Sequence, residues 1–105
     1  MNGGTKYDQG KLPLELLPPE SLEEIARVLA FGAEKYDSWN WCKGFKYGRL
    51  YGACLRHLFA WWKGEGKDPE TGLTHLAHAG CCILFLIWME KNKPELDDRF
   101  KKEEV

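Results

Sequence analysis

An unbroken apolar run at residues 79–89 constrains the fold of this chain more than any other feature. Its eleven residues are about half of the roughly 20 that a helix needs to span a bilayer, so the run predicts the core of a buried helix. No segment alternates apolar and polar residues over more than a few positions, as a half-buried strand does. The sequence therefore predicts an all-α domain without a membrane segment.

Three segments with helical periodicity are separated by breaks that contain glycine or proline. The first, over about residues 21–36, opens with Ser21 and Glu24, which match a capping box. The second covers about residues 47–63. The third is predicted over about residues 68–91, because it opens with Asp-Pro-Glu, and Asp and Pro are favoured at the N-cap and at the first helical position.

The length of 105 residues corresponds to one domain. We divide it into an extended N-terminal arm over residues 1–19, a helical core over 21–91 and a polar tail over 92–105. Three long helices with wide apolar faces seldom complete a core by themselves, because each leaves part of its apolar surface uncovered. We therefore expect a helical bundle completed by oligomerisation, as a homodimer or a tetramer.

Charge and cysteine content exclude several classes of protein. The formal net charge of −1 does not favour a general nucleic-acid or membrane-surface binder. The four cysteines form no Cys-x-x-Cys pair of a zinc ribbon, and no hydrophobic stretch follows Met1 as in a signal peptide. We expect reduced thiols and a cytoplasmic location, with neither nucleic acid nor membrane as a partner.

All three histidines lie in the second and third predicted helices. His75 and His78 are spaced i, i+3 and project from one face, and His57 lies on the preceding helix. Imidazoles and carboxylates at such spacing can hold a divalent metal ion. The acidic residues between the histidines are Glu65, Asp68 and Glu70. The alternative is that each histidine is a hydrogen-bonded core or surface residue, and that Asp68 and Glu70 only serve the start of a helix.

Two glutamates are candidates for orienting a water molecule. Glu65 lies between two glycines that leave the backbone free to aim it, although a plain surface turn is the alternative. Glu34 lies near the end of the first helix, where an acid opposes the helix dipole, and this small cost suggests a function.

Candidate substrate-binding residues lie in the arm and on the first two helices. Lysines act as point charges for phosphates, and an arginine can bind a phosphate through two hydrogen bonds. The candidates are Lys6, Asp8, Lys11, Lys35 and Arg56. For the arm, the alternative is a solvated segment. Trp39 and Trp41 are candidates for stacking on a base, or for filling an interface.

Motifs of two common enzyme classes are missing from the sequence. It contains no G-x-x-x-x-G-K-[ST], no G-x-G-x-x-G and no nucleophile elbow. A P-loop ATPase and an acyl hydrolase are therefore disfavoured. A metal-assisted attack of water on a phosphoryl group requires a metal, a base that orients the water, and cations on the leaving group, and none of those motifs.

Several strings together resemble a phage and bacterial family of dATP/dGTP diphosphohydrolase-like proteins. They are KYDQGKLP at residues 6–13, FGAEKY at 31–36, NW at 40–41, RHL at 56–58, GE at 64–65, DPETG at 68–72 and HLAHA at 75–79. This family is similar to the all-α, MazG-like nucleoside triphosphate pyrophosphohydrolases. The resemblance implies an oligomeric helical bundle and Mg²⁺-dependent cleavage of a deoxynucleoside triphosphate to the monophosphate and pyrophosphate.

The metal-binding positions depart from that pattern. The related enzymes use carboxylates in an E-x-x-E motif on one helix and an E-x-x-D motif on the next. Here the first motif falls on Cys54 and His57, and the second on His75 and His78. Because Mg²⁺ prefers oxygen ligands and imidazole suits Mn²⁺ or Co²⁺, the cofactor is expected to be a divalent metal, either Mg²⁺ or Mn²⁺/Co²⁺.

The leading hypothesis is a pyrophosphohydrolase of purine deoxynucleoside triphosphates, in the host cytoplasm if the chain is phage-encoded. The predicted metal ligands are His57, Glu65, Asp68, His75 and His78. A monophosphate phosphohydrolase of the histidine/aspartate type is a second hypothesis, disfavoured because no adjacent His-Asp pair exists. The third is a non-catalytic helical oligomer that binds a nucleotide or a protein partner.

Overall fold

The computed structural model describes residues 10–101, and three long helices form this part of the chain. The α-helices are α1 (Pro19–Lys35), α2 (Tyr47–Trp62) and α3 (His75–Asn92). Three short 3₁₀ segments accompany them: Leu14–Leu16, Asn40–Lys43 and Pro94–Leu96. Within residues 10–101 there is no strand, and none of these helices has the length and hydropathy to span a membrane. The predicted all-α class is confirmed.

Helix α1 begins two residues earlier than predicted, and the predicted capping box is wrong. Pro18 is the N-cap and Pro19 the first helical residue, with no side chain bonded to the free backbone N–H groups. Proline suits this position, because its fixed φ matches the helix and its missing N–H needs no acceptor. Ser21 therefore lies inside the first turn, and Glu24 accepts a hydrogen bond from Arg27 Nε at 3.1 Å instead.

The predicted start of the third helix at Asp68 is also wrong. Asp68 Oδ1 accepts the backbone N–H groups of Glu70 at 2.8 Å and of Thr71 at 3.1 Å, which forms a turn. The turn ends at Gly72, whose φ of +73° favours glycine. Thr74 is the N-cap of α3, and its side-chain oxygen accepts a backbone N–H of the first helical turn. An Asp-Pro pair is compatible with a turn as well as with a helix start, and here it forms a turn.

Helices α2 and α3 form an antiparallel hairpin that contains the core. Tyr47, at the start of α2, donates a hydrogen bond from its hydroxyl to the carbonyl of Met89, near the end of α3, at 3.0 Å. Met89 is completely buried, and Cys54 at mid-helix donates to the carbonyl of Ala79. All four cysteines are free thiols, as predicted. The antiparallel arrangement places the end of α2 beside the start of α3, where the histidines lie.

Helix α1 packs against α3 and has no buried residue of its own. Gly80 on α3 lets Ile25 of α1 pack closely, since an added Cβ at Gly80 would lie 3.0 Å from Ile25 Cδ1. Large apolar side chains stay exposed elsewhere on the hairpin. They include Tyr51, Phe59 and Trp62 on α2, and Ile83 and Ile87 on α3, with exposed fractions of 60%, 62%, 81%, 47% and 50%.

Candidate functional site

The three histidines meet where the end of α2 contacts the start of α3. The Nδ1 atoms of His57 and His75 lie 2.9 Å apart. The rings of His57 and His78 are stacked, with centroids 4.6 Å apart and planes 10° from parallel. His75 is only 4% exposed. The structure thus brings together all three histidines that the sequence singled out.

Each of the three imidazole rings has a residue of the loop between α2 and α3 beside it. Glu65 Oε1 lies 2.7 Å from His75 Nε2, and Asp68 Oδ2 lies 4.0 Å from His57 Nδ1. The hydroxyl of Thr71 lies 2.8 Å from His78 Nε2. Thr71 carries no sequence signal of its own as a site residue, because its proximity to His78 depends on the turn that Asp68 forms.

The environment favours neutral imidazoles and an ionised carboxylate. Burial lowers the pKa of His57, and the nearby His78 and His75 lower it further. Burial also lowers the pKa of His78. For Asp68, burial acts to raise the pKa, but hydrogen bonds from the backbone N–H groups of Thr71 and Glu70 outweigh it and lower the pKa. Neutral imidazole and ionised carboxylate are the forms that ligate a metal ion.

Three of the predicted ligands fit a divalent metal ion. One ligand atom each of His57, Asp68 and His75 lies within 4.8 Å of the other two. The 2.9 Å between the two histidine nitrogens is close to the roughly 3.0 Å that separates two nitrogens each about 2.1 Å from one ion and at right angles. Two nitrogens and one oxygen suit Mn²⁺, Co²⁺, Ni²⁺ or Zn²⁺ better than Mg²⁺.

Glu65 and His78 lie beside His57, Asp68 and His75, and each makes a side-chain contact of its own. Glu65 contacts the ring nitrogen of His75 that faces away from His57, and its side chain is 54% exposed. Carboxylates in this position orient metal-binding histidines and fix their tautomer. His78 contacts Thr71 through Nε2 while stacking on His57.

The predicted phosphate-binding residues are distributed unevenly around the cluster. Lys35 forms an exposed ion pair with Glu70, with Nζ 3.1 Å from Oε2, which links the end of α1 to the loop that carries Asp68. Arg56 is exposed on α2 next to His57. Within residues 10–101, no hydrogen bond or ion pair joins the exposed Lys11 or Glu34 to the histidines. The predicted Lys6 and Asp8 lie outside the described residues.

The two tryptophans of the loop after α1 have different environments. Trp41 stacks on Phe85 with ring centroids 5.0 Å apart and contacts Trp88 edge-on. Trp39 is 70% exposed and lies 5.9 Å from Trp41 between ring centroids. Trp41 therefore packs against aromatic residues of α3 and is partly buried, whereas Trp39 is exposed.

Comparisons with known proteins identify the family of this chain. The family described as "dATP/dGTP diphosphohydrolase, N-terminal" matches residues 1–99. A protein of Salmonella phage PMBT28, named dATP/dGTP diphosphohydrolase, is 48% identical over 96 residues, which is 91% of this chain. The chain spans only about a third of the length of that relative, 33%. No solved structure matches the chain. The chain belongs to the dATP/dGTP diphosphohydrolase N-terminal family.

Proposed function

We propose that this chain carries the site of a pyrophosphohydrolase, which converts a purine deoxynucleoside triphosphate to the monophosphate and pyrophosphate. The observation that carries the proposal is the grouping of His57, Asp68 and His75 within 4.8 Å, in a chain that belongs to this family. The name of the phage relative, dATP/dGTP diphosphohydrolase, supports the reaction and the purine substrates. Under this proposal the protein acts in the cytoplasm, where nucleotides are available, and this is the host cytoplasm if the chain is phage-encoded.

We assign the direct ligation of a divalent metal, Mg²⁺ or Mn²⁺/Co²⁺, to His57, Asp68 and His75. Such an ion polarises a phosphoryl oxygen and makes a bound water more acidic. Glu65 fixes the ring of His75 through the 2.7 Å contact and is close enough to the cluster to accept a proton from the attacking water. His78 supports His57 by stacking, and Glu34 stays a predicted alternative for the base.

Cations around the cluster bind the phosphates in this proposal. The ion pair of Lys35 with Glu70 is exposed, and exposed pairs contribute little, so a phosphate group can replace Glu70 as the partner of Lys35. Arg56 donates from the adjacent surface of α2, and Lys6, Asp8 and Lys11 stay predicted substrate-binding residues, with the two lysines supplying further positive charge. The oxygen of water bonds to the α-phosphorus, the bond to the bridging oxygen breaks, and pyrophosphate leaves with the negative charge.

The exposed apolar residues of α2 and α3 support a homo-oligomer. Single exposed apolar residues are common, but a group this large on one hairpin marks an interaction surface. We propose that Tyr51, Phe59, Trp62, Ile83 and Ile87 contact a second copy of the chain, which completes the bundle.

Turnover with a panel of metals tests the function. We expect pyrophosphate release from dATP and dGTP, faster with Mn²⁺ or Co²⁺ than with Mg²⁺, and abolished by a chelator. The absence of turnover with all three metals would contradict the proposal. Release of inorganic phosphate from monophosphates would favour the histidine/aspartate type of hydrolase. A melting temperature unchanged by every nucleotide–metal pair would favour a protein partner.

Replacing Glu65 with glutamine should weaken the site without removing a metal ligand. The amide keeps the shape of the side chain but loses the charge that orients His75, so we expect a loss of about 10–100-fold in metal affinity or turnover. The affinity for Mn²⁺, measured by calorimetric titration, checks this. Glu23→Gln, which removes an exposed acid on α1, is the matched control. Equal affinities in both variants would exclude the orienting role.

A further inference from the structure

We propose that a cavity beside the metal-binding group receives the purine base of the nucleotide, and that Asn40 selects purines over pyrimidines. The inference rests on the proposed nucleotide substrate. The cavity, which we call the base pocket, has a volume of about 180 Å³ and lies between α1, the Asn40–Lys43 segment and α3. Its lining includes Gly32 and Tyr36 at the end of α1, Asn40 and Trp41 in the 3₁₀ segment, and Phe85 on α3.

The base pocket and the metal-binding group are neighbours along α3. Cys81, which also lines the pocket, lies six residues after the proposed ligand His75, about 9 Å along the helix axis, and three residues after His78. Tyr36, the residue that follows α1, lines the pocket, and the adjacent Lys35 forms an ion pair with Glu70 in the loop that carries Asp68. On α3 and at the end of α1, residues that line the pocket are therefore near in sequence to residues of the proposed phosphate-binding region. A nucleotide with its phosphates at the histidines has this cavity within reach of its base.

The size and lining of the pocket suit one flat ring system. Its volume of about 180 Å³ is below the roughly 300–1,000 Å³ of clefts that hold a whole drug-sized ligand, so it accommodates a fragment such as a base. Its walls are mostly aromatic and aliphatic, with Tyr36, Trp41 and Phe85 among them, while Asp37 and Ser38 add polar groups beside Asn40. Aromatic walls favour the stacking of any base, so they contribute to affinity but do not distinguish purines from pyrimidines.

Asn40 supplies a polar group that distinguishes the two kinds of base. Its backbone N–H donates to the carbonyl of Asp37 at 3.0 Å, but no partner for its side-chain amide is found among residues 10–101. Adenine and guanine both present N7 as an acceptor, and pyrimidines lack this atom. A hydrogen bond from the Asn40 amide to N7 therefore favours both purines alike.

Binding of the reaction products tests this assignment without turnover. We titrate the full chain with dAMP, dGMP or dTMP in the presence of Mn²⁺ and follow tryptophan fluorescence, because Trp41 lines the pocket. We expect the purine monophosphates to bind about tenfold more tightly than dTMP, and Asn40→Ala to reduce this ratio to about threefold or less. Asn92→Ala, on the exposed end of α3, should keep the full ratio.

A second variant fills the pocket without depending on Asn40. A Cβ added at Gly32 meets no atom within 4 Å, so Gly32→Met projects into the cavity, and methionine is a better helix former than glycine. We expect at least about tenfold weaker binding of dGMP, with an unreduced melting temperature. Ala30→Met, on the exposed side of α1, is the control.

The results that would contradict the base pocket differ from those that would contradict the proposed function. Equal affinity of the wild-type chain for dGMP and dTMP, an unchanged ratio in Asn40→Ala, or unchanged binding in Gly32→Met would overturn the base pocket. Purine-selective binding by a chain that releases no pyrophosphate would support the pocket and overturn the proposed function. Pyrophosphate release with an unaltered base preference in Asn40→Ala would overturn the pocket alone.

Discussion

Replacing His75 with alanine is expected to reduce metal-dependent pyrophosphate release at least about 100-fold, because substitutions around a ligand already cost about 10–100-fold. His75 is the most buried of the three histidines and uses both ring nitrogens. Its Nδ1 atom lies 2.9 Å from that of His57, and its Nε2 atom contacts Glu65. Removing the ring therefore removes one of the proposed ligands and leaves the carboxylate of Glu65 without its partner.

Metal binding gives a readout that does not depend on turnover. At a Mn²⁺ concentration about 100 times the dissociation constant, binding stabilises the folded state by roughly 2.7 kcal/mol. For a domain of this size, that raises the melting temperature by roughly 10 °C or more. We expect this increase in the wild-type chain and its loss in His75→Ala.

Two further variants separate ligand loss from a general loss of structure. Asp68→Asn keeps the shape of the side chain and should also abolish the increase, because the amide is a poor metal ligand. Glu23→Gln should retain it, since Glu23 lies on the exposed surface of α1. An undiminished Mn²⁺-dependent increase in His75→Ala would contradict the metal-site assignment.

The helix boundaries show what periodicity can and cannot predict. The limits of α2 follow its apolar pattern to within about a residue, because tertiary packing and local propensity agree there. At residues 68–74, local propensity and tertiary structure disagree. The Asp-Pro pair predicts a helix start, but it forms a turn, and Thr74 is the N-cap of α3. The sequence alone does not distinguish these uses of aspartate, because both satisfy free backbone N–H groups.

The candidate site was predictable in its members but not in its contacts. The i, i+3 spacing of His75 and His78 places them on one side of a helix. Their meeting with His57 depends on the antiparallel packing of α2 and α3, which periodicity does not determine. The pairing of Lys35 with Glu70, 35 residues apart, likewise depends on how α1 crosses α3. The base pocket also forms between elements that are distant in the chain, so local sequence patterns do not predict it.

Replacing both Ile83 and Ile87 with aspartate is expected to convert the proposed homo-oligomer to a monomer. These residues are 47% and 50% exposed in the single chain, and they are one helical turn apart on α3. A stable interface buries about 1,000 Å² or more, with a largely apolar centre. Two carboxylates at that centre would be desolvated without partners and would repel those of the second copy.

Sedimentation or light scattering measures the expected change as a fall in mass to that of one 12.1 kDa chain. Because His57, Asp68 and His75 all belong to one hairpin, the monomer should still bind Mn²⁺, which separates dissociation from unfolding. Lys91→Asp, on an exposed polar position of α3, introduces a carboxylate without removing apolar surface and should keep the proposed oligomeric mass. A wild-type chain that is monomeric at every concentration, or a double variant that keeps the wild-type mass, would show that this surface does not bind a second copy.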